Sequence, residues 1–196
     1  MGTENQEYTE RLLQADVWWK RLLDAQRPYR IHLQRLGLGS VLDIGCGVGR
    51  NLVNIGARGK SIGVDHNPHS VAIARSRGLL AFTPEEFRAS SYAEPSSFDS
   101  ILLSHVAEHM SRKEVVSLIN EYIPYLRFRG RIVIITPQEA GHRSDPTHVE
   151  FMDFGAVADI FKEADLSLLR QYSFPFPRIF GRVFKYNEFV TIGQKE

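Results

Sequence analysis

The sequence predicts an α/β fold, a largely parallel sheet with helices on both faces. Three observations predict it. Short apolar, β-branched runs alternate five times with stretches of helical periodicity. The first such run passes through a glycine turn straight into a helix, the way an open α/β sheet receives a nucleotide-like ligand beyond its strand ends. Two further strand-like runs, Leu166 to Ser173 and Glu188 to Gly193, close the chain. With 196 residues, 43% hydrophobic and 24% charged, the chain is long enough for one full core and short for two.

Residues 4 to 26 read as a helix, because Leu12, Leu13, Val17, Trp18, Leu22 and Leu23 recur at helical spacing. Pro28 breaks it, and Tyr29 to Leu36 forms a second helix ending at Gly37. Residues 1–37 are therefore read as a helical cap and residues 38–196 as the main domain. Ser40 to Ile44 is the first strand. Gly45, Gly47 and Gly49 form a turn free to take positive φ, and Asn51 to Ile55 opens a helix. Lys60 to Val64 is the second strand, ending at Asp65. Ser70 to Arg77 is a helix closed by Gly78, and Leu79 to Phe82 the third strand. Residues 88–97, rich in Ser, Ala and Pro, are a loop. Phe98 to Ser104 is the fourth strand. Lys113 to Arg127 is a long amphipathic helix that Pro124 kinks or ends. Gly130 to Thr136 is the fifth strand, closed by Pro137. A loop from Gln138 to His148 follows, then a helix from Asp153 to Ala164. Between the last two strands, Phe174-Pro175-Phe176-Pro177-Arg178-Ile179-Phe180-Gly181 is either the wall of an apolar pocket or a rigid packed loop.

The glycine turn carries the most information. A dinucleotide fingerprint places glycines at its first, third and sixth positions. Here Gly45 and Gly47 fit, but Arg50 holds the sixth position and the third glycine comes early, at Gly49. An acid, Asp43, precedes the turn. The run Val41-Leu42-Asp43-Ile44-Gly45-Cys46-Gly47-Val48-Gly49 resembles the first motif of class I S-adenosylmethionine (SAM) dependent methyltransferases, and Asp43 to Gly49 match it without a gap. Phe98-Asp99-Ser100-Ile101-Leu102 resembles a later segment of the same family.

That resemblance, over roughly residues 38 to 196, implies a Rossmann-like seven-stranded sheet of order 3-2-1-4-5-7-6 with the last strand antiparallel. It implies SAM as cofactor and the N-terminal helices as a lid. Gly45, Cys46, Gly47 and Gly49 would shape the SAM loop, and Asp43 would orient that loop and the methionine end. Asp65, 20 residues beyond Gly45, would hold the ribose hydroxyls, with helix capping as its alternative role. His66 would lie against the adenine or ribose, and Ser104 near the methionyl part. The adenine contact departs from the family pattern. Where many members carry Asp after the third strand, this chain has Thr83-Pro84-Glu85-Glu86-Phe87, leaving Glu86 or the backbone near Phe87 as the substitute.

His105, Glu108 and His109 are spaced i, i+3, i+4, which puts them on one face of a helical turn. His142, Asp145 and His148 follow the fifth strand. A hydroxyl acceptor must lose a proton to be methylated, to a side chain or with the help of a metal. In one reading His109 or His148 is that base, beside Glu108. In another, His105, Glu108, His109 and His148 hold a divalent cation. This second reading follows a resemblance to small-RNA 2′-O-methyltransferases and ubiquinone-biosynthesis O-methyltransferases, which place metal ligands in a Glu-x-x-Glu-His run. His105 stands where those families have Glu, and extra imidazole shifts preference from magnesium towards zinc, iron or nickel. In a third reading Glu108-His109 only orders the loop.

The expectation is a SAM-dependent methyltransferase acting on a small-molecule acceptor, at a hydroxyl oxygen. The alternatives are N-methyl transfer, an inactive SAM-binding module, and an NAD(P)-dependent oxidoreductase, which Arg50 in the glycine turn opposes. A net charge of +1, and no Asn-Pro-Pro-Tyr-like motif after the fourth strand, argue against a nucleic-acid partner. No apolar run approaches the ~20 residues of a membrane span, so no membrane partner is expected. The single cysteine, Cys46, excludes an internal disulfide. Residues 1–6 lack signal-peptide character, so the cytoplasm is the expected location. The sequence assigns neither acceptor nor oligomeric state.

Overall fold

A computed structural model of the chain describes residues 26–56 and 61–196. The predicted first helix, with Trp18 and Trp19, lies almost wholly outside the described residues. The sheet has seven strands in the order β3-β2-β1-β4-β5-β7-β6, with helices around it. Two compact units contribute, residues 1–93 and 94–196.

In the first unit, α1 (Arg27–Arg35) starts with Pro28 in its first turn, where a missing N–H costs nothing. It packs beside α2 (Arg50–Ile55), with Gln34 Nε2 donating to the Asn54 carbonyl at 3.1 Å. Strands β1 (Val41–Ile44), β2 (Ser61–Val64) and β3 (Ala81–Phe82) pair in parallel. All of β1 is buried, as a parallel strand covered on both faces must be. Between β2 and β3, α3 (Pro68–Ser76) is capped by the Asn67 side chain, which accepts from the His69 and Ser70 amides. After β3, α4 (Pro84–Arg88) begins in a capping box of Thr83 and Glu86 where the sequence reading had no helix.

In the second unit, β4 (Phe98–Ser104) runs parallel to β5 (Leu126–Pro137), and β7 (Glu188–Lys195) is antiparallel to both β5 and β6 (Leu166–Phe174). Two long helices, α5 (Arg112–Tyr122) and α7 (Phe154–Glu163), are capped by Ser111 and Asp153. Between β5 and α7, α6 (Glu139–His142) is a single turn inside the expected loop. The core holds Ile101, Leu102, Ile132, Ile134, Val190 and Phe161, each at most 1% exposed. Each such side chain contributes about 1.5–3 kcal/mol.

The expected helix 113–127 is shorter than its periodicity implied. Pro124 offers no N–H to an α-helical turn, so the chain tightens into a 3-10 turn at Ile123–Tyr125 and then extends. Leu126 thus opens β5 instead of ending the helix. Phe98 pairs with Leu126 but Ser100 with Arg131, so β5 bulges between them, with Arg129 in the left-handed region at φ 57°.

Candidate active site

Two groups of side chains carry the chemistry, one in each unit. In the first unit β1 ends at Ile44, and the amides of Gly45 and Cys46 both donate to the Val64 carbonyl, at 2.8 and 3.1 Å. The turn thus folds against the end of β2. Gly47 and Gly49 take φ of 53° and 83°, where a side chain is strained. An added Cβ on Gly49 would also overlap Leu79 Cδ1.

Asp65, buried beyond β2, accepts the Gly47 amide on Oδ2 at 2.7 Å and the Asn67 amide on Oδ1 at 2.9 Å. Asn67, not Asp65, caps α3, which leaves the acid free of that role. Each carboxylate oxygen has two lone-pair directions, so each keeps one for a further donor. Asp43 is fully buried, and neither of its oxygens meets a hydrogen-bond partner. Burial and the charge of Asp65 push its pKa up to about 8; the Asn51 side chain pulls the other way from beyond hydrogen-bonding geometry.

The Cys46 side chain faces the core with Leu52, Val71, Ala74 and Ala81. Burial, then the charges of Asp43 and Asp65, push its thiol pKa far up, so Cys46 is an inert packing thiol that offers the turn only its backbone. The Glu86 carboxylate accepts the Thr83 amide at 2.8 Å and pairs with Arg75 at 2.6 Å; the Arg75 hydrogen bond holds its pKa down. His66 is half exposed, its Nδ1 3.8 Å from Asp65 Oδ1. This set fits a ligand with vicinal hydroxyls and a positive charge. It offers a carboxylate with spare acceptor directions, an unpaired buried acid and a turn with no side chains in the way.

In the second unit, β4 ends at Ser104. The helical face expected of His105, Glu108 and His109 does not form. His105 lies in the left-handed region at φ 59°, ahead of a 3-10 turn at Ala107–His109. Its Nε2 sits 2.9 Å from Glu188 Oε1 and its Nδ1 3.3 Å from Glu108 Oε1. Desolvation opposes charge on this ring, but the two flanking carboxylates, Glu108 and Glu188, outweigh it and raise its pKa to about 10. His105 is therefore an imidazolium at neutral pH. Its side chain keeps 47% of its surface open, so solvent screens both pairs.

Ligand atoms of Glu108, His109 and His148 lie within 4.8 Å of one another. His148 Nδ1 is 2.8 Å from the His142 carbonyl, which can only accept, so Nδ1 carries the hydrogen and Nε2 the lone pair. His109 Nδ1 is 3.2 Å from both the carbonyl and the hydroxyl of Thr147. That hydroxyl donates to Asp145 Oδ1 at 2.7 Å, so His109 Nδ1 must also donate and its Nε2 carries the lone pair. Neither oxygen of the buried Glu108 carboxylate has a hydrogen bond, the ion pair to His105 aside. His142 stacks on His148 at 5.0 Å and 22°; burial, then His148, lower its pKa and keep it neutral. Two imidazole lone pairs and a carboxylate suit a divalent cation of borderline softness, and equally a hydroxyl proton.

Sequence reasoning missed Glu188 and Thr147. Glu188 reads as an ordinary strand start, 83 positions from His105.

Residues 41–130 match the family model described as a methyltransferase domain. No curated protein matches the chain in sequence. Among solved structures, the chain is similar to a SAM-dependent methyltransferase from Archaeoglobus fulgidus, with 18% identity and a TM-score of 0.67 over 89% of this chain and 99% of that one. It is also similar to magnesium protoporphyrin IX methyltransferase from Synechocystis with bound S-adenosylhomocysteine, with 14% identity and a TM-score of 0.66 over 99% and 96%. A third is a SAM-dependent methyltransferase from Mesorhizobium loti, with 14% identity and a TM-score of 0.62 over 87% and 98%.

Proposed function

We propose that the chain is a class I S-adenosylmethionine-dependent methyltransferase and that it methylates a hydroxyl oxygen of a small-molecule acceptor. When bound, SAM supplies a methyl group on a sulfonium cation, open to in-line displacement by a nucleophile. In this reading Asp65 accepts hydrogen bonds from the ribose hydroxyls, and the bare turn at Gly45, Cys46, Gly47 and Gly49 lets the backbone approach closely. Asp43, beneath the turn, orients that loop and the methionine end, and His66 flanks the sugar.

The proton of the acceptor goes to Nε2 of His148 or His109. The observation that carries this is the pair of Nδ1–H donations to the His142 and Thr147 carbonyls, which hold each ring in the tautomer a base requires. Glu108 stabilises the imidazolium that forms, and His105 fixes Glu108. A neutral amine acceptor would need no such base before attack, which is why oxygen is the better fit. The test is transfer of labelled methyl from SAM to a panel of hydroxyl and amine acceptors. Labelling confined to amines would refute oxygen.

One observation favours a second reading: the two Glu108 oxygens without hydrogen bonds, beside two imidazole lone pairs. Glu108, His109 and His148 would then hold a divalent cation, which lowers the pKa of a coordinated hydroxyl. Chelation separates the two readings.

A further inference from the structure

The segment between β6 and β7 presents an outer surface to which the proposed methyl transfer assigns no role. Five of its residues, Phe176, Ile179, Phe180, Val183 and Tyr186, are exposed apolar or aromatic side chains, with Ile179 70% and Val183 81% open. Residues 174–187 contain Arg178, Arg182 and Lys185 and no acid. Arg178 is used internally, paired with Glu139 and lying 4.7 Å over the Phe189 ring. Arg182 and Lys185 are exposed. The whole-chain charge of +1 averages this segregation away.

The surface is held from beneath. Buried Asn187 donates to Gln138 Oε1 at 3.0 Å and accepts the Phe176 amide at 2.9 Å. Gln138 Nε2 donates to Ser173 Oγ and to the Glu188 carbonyl, both at 2.9 Å. Gly181 lies so close to Gln138 that no Cβ fits. The apolar side chains therefore stay outside because the backbone beneath them is fixed. The amides of Phe176, Phe180, Val183, Phe184 and Asn187 are all satisfied within the segment. Each amide paired in this way lowers the cost of entering an apolar medium. Exposed apolar side chains flanked by basic residues with no acid among them complement an anionic lipid surface.

We propose that residues 176–186 dock the protein on an anionic lipid bilayer. Ile179, Phe180 and Val183 enter the boundary between headgroups and acyl chains, and Arg182 and Lys185 meet the lipid phosphates. This binding mode goes beyond methyl transfer. Because Phe174 pairs with Glu188, which holds His105, the docked segment is tied to the start of β7, whose first residue reaches the ring that follows β4.

The test is co-sedimentation of the full chain with vesicles of phosphatidylcholine alone and of phosphatidylcholine mixed with phosphatidylglycerol. The mixed vesicles are expected to bind roughly tenfold more protein at low salt, with the excess lost at high salt. The double variant Ile179→Ser, Val183→Ser should lose most binding to both kinds of vesicle. The variant Arg182→Glu, Lys185→Glu should lose the preference for the anionic ones. All four side chains are exposed, so thermal midpoint and SAM affinity should stay at wild-type values, which keeps this test separate from that of methyl transfer. Failure of the wild type to bind mixed vesicles, or undiminished binding by the serine variant, would overturn the proposal. So would a vesicle-free wild-type dimer that the serine variant dissociates, which would assign the surface to a second copy of the chain.

Discussion

Asp65 Oδ2 accepts the Gly47 amide at 2.7 Å, so the acid beyond β2 braces the glycine turn beyond β1. The brace and the proposed sugar contact use different lone pairs of one carboxylate. Asp65→Asn keeps an acceptor but loses the charge and presents a donor where the sugar also presents donors. Charge-assisted hydrogen bonds contribute about 1.5–3 kcal/mol, so SAM affinity should fall about tenfold to a hundredfold. Calorimetric titration measures this, and an unchanged Kd would remove Asp65 from the site.

Gly49→Ala tests the turn itself. The residue sits at φ 83°, and its new methyl would overlap Leu79 Cδ1. Strain of about 1–2 kcal/mol, before the overlap is counted, should lower the thermal midpoint by roughly 2–8 °C. A scan of both proteins at one rate checks it.

Asp43 predicts a pH dependence of stability. Its folded pKa, about 8, lies above its ordinary 3.8, so the folded state holds this proton more tightly than the unfolded chain does. Over that window the unfolded state binds fewer protons, and this group's contribution to stability falls as pH rises. Urea unfolding of the wild type and Asp43→Asn across the window should show the wild type losing ground steadily to the variant. A constant difference would mean that Asp43 is ionised throughout.

Chelation distinguishes the two roles open to Glu108, His109 and His148. The proton-acceptor reading predicts unchanged turnover after EDTA treatment and no stoichiometric metal in purified protein. Loss of activity restored by zinc or manganese would move the assignment to a metal centre.

The glycine turn was legible because its geometry is local: apolar strand, acid and three glycines lie within nine consecutive residues, Val41 to Gly49. The histidine cluster was legible only as a set of residue types. Its spacing suggested a helical face, but a left-handed backbone at His105 turns that ring towards Glu188, a partner supplied by the far end of the chain. The acceptors that fix the two tautomers are backbone carbonyls of Thr147 and His142, which no residue type announces. Leu126 fits a helical stripe and a strand equally well, so only the turn at Pro124 decides where β5 begins.

The claim most directly open to measurement is that an imidazole takes the acceptor's proton. The rate of labelled methyl transfer to a hydroxyl acceptor should fall about 10²- to 10⁴-fold in His148→Ala or His109→Ala, while SAM Kd stays within about twofold of wild type. Full activity in both variants, or a loss of turnover matched by an equal loss of SAM affinity, would contradict it.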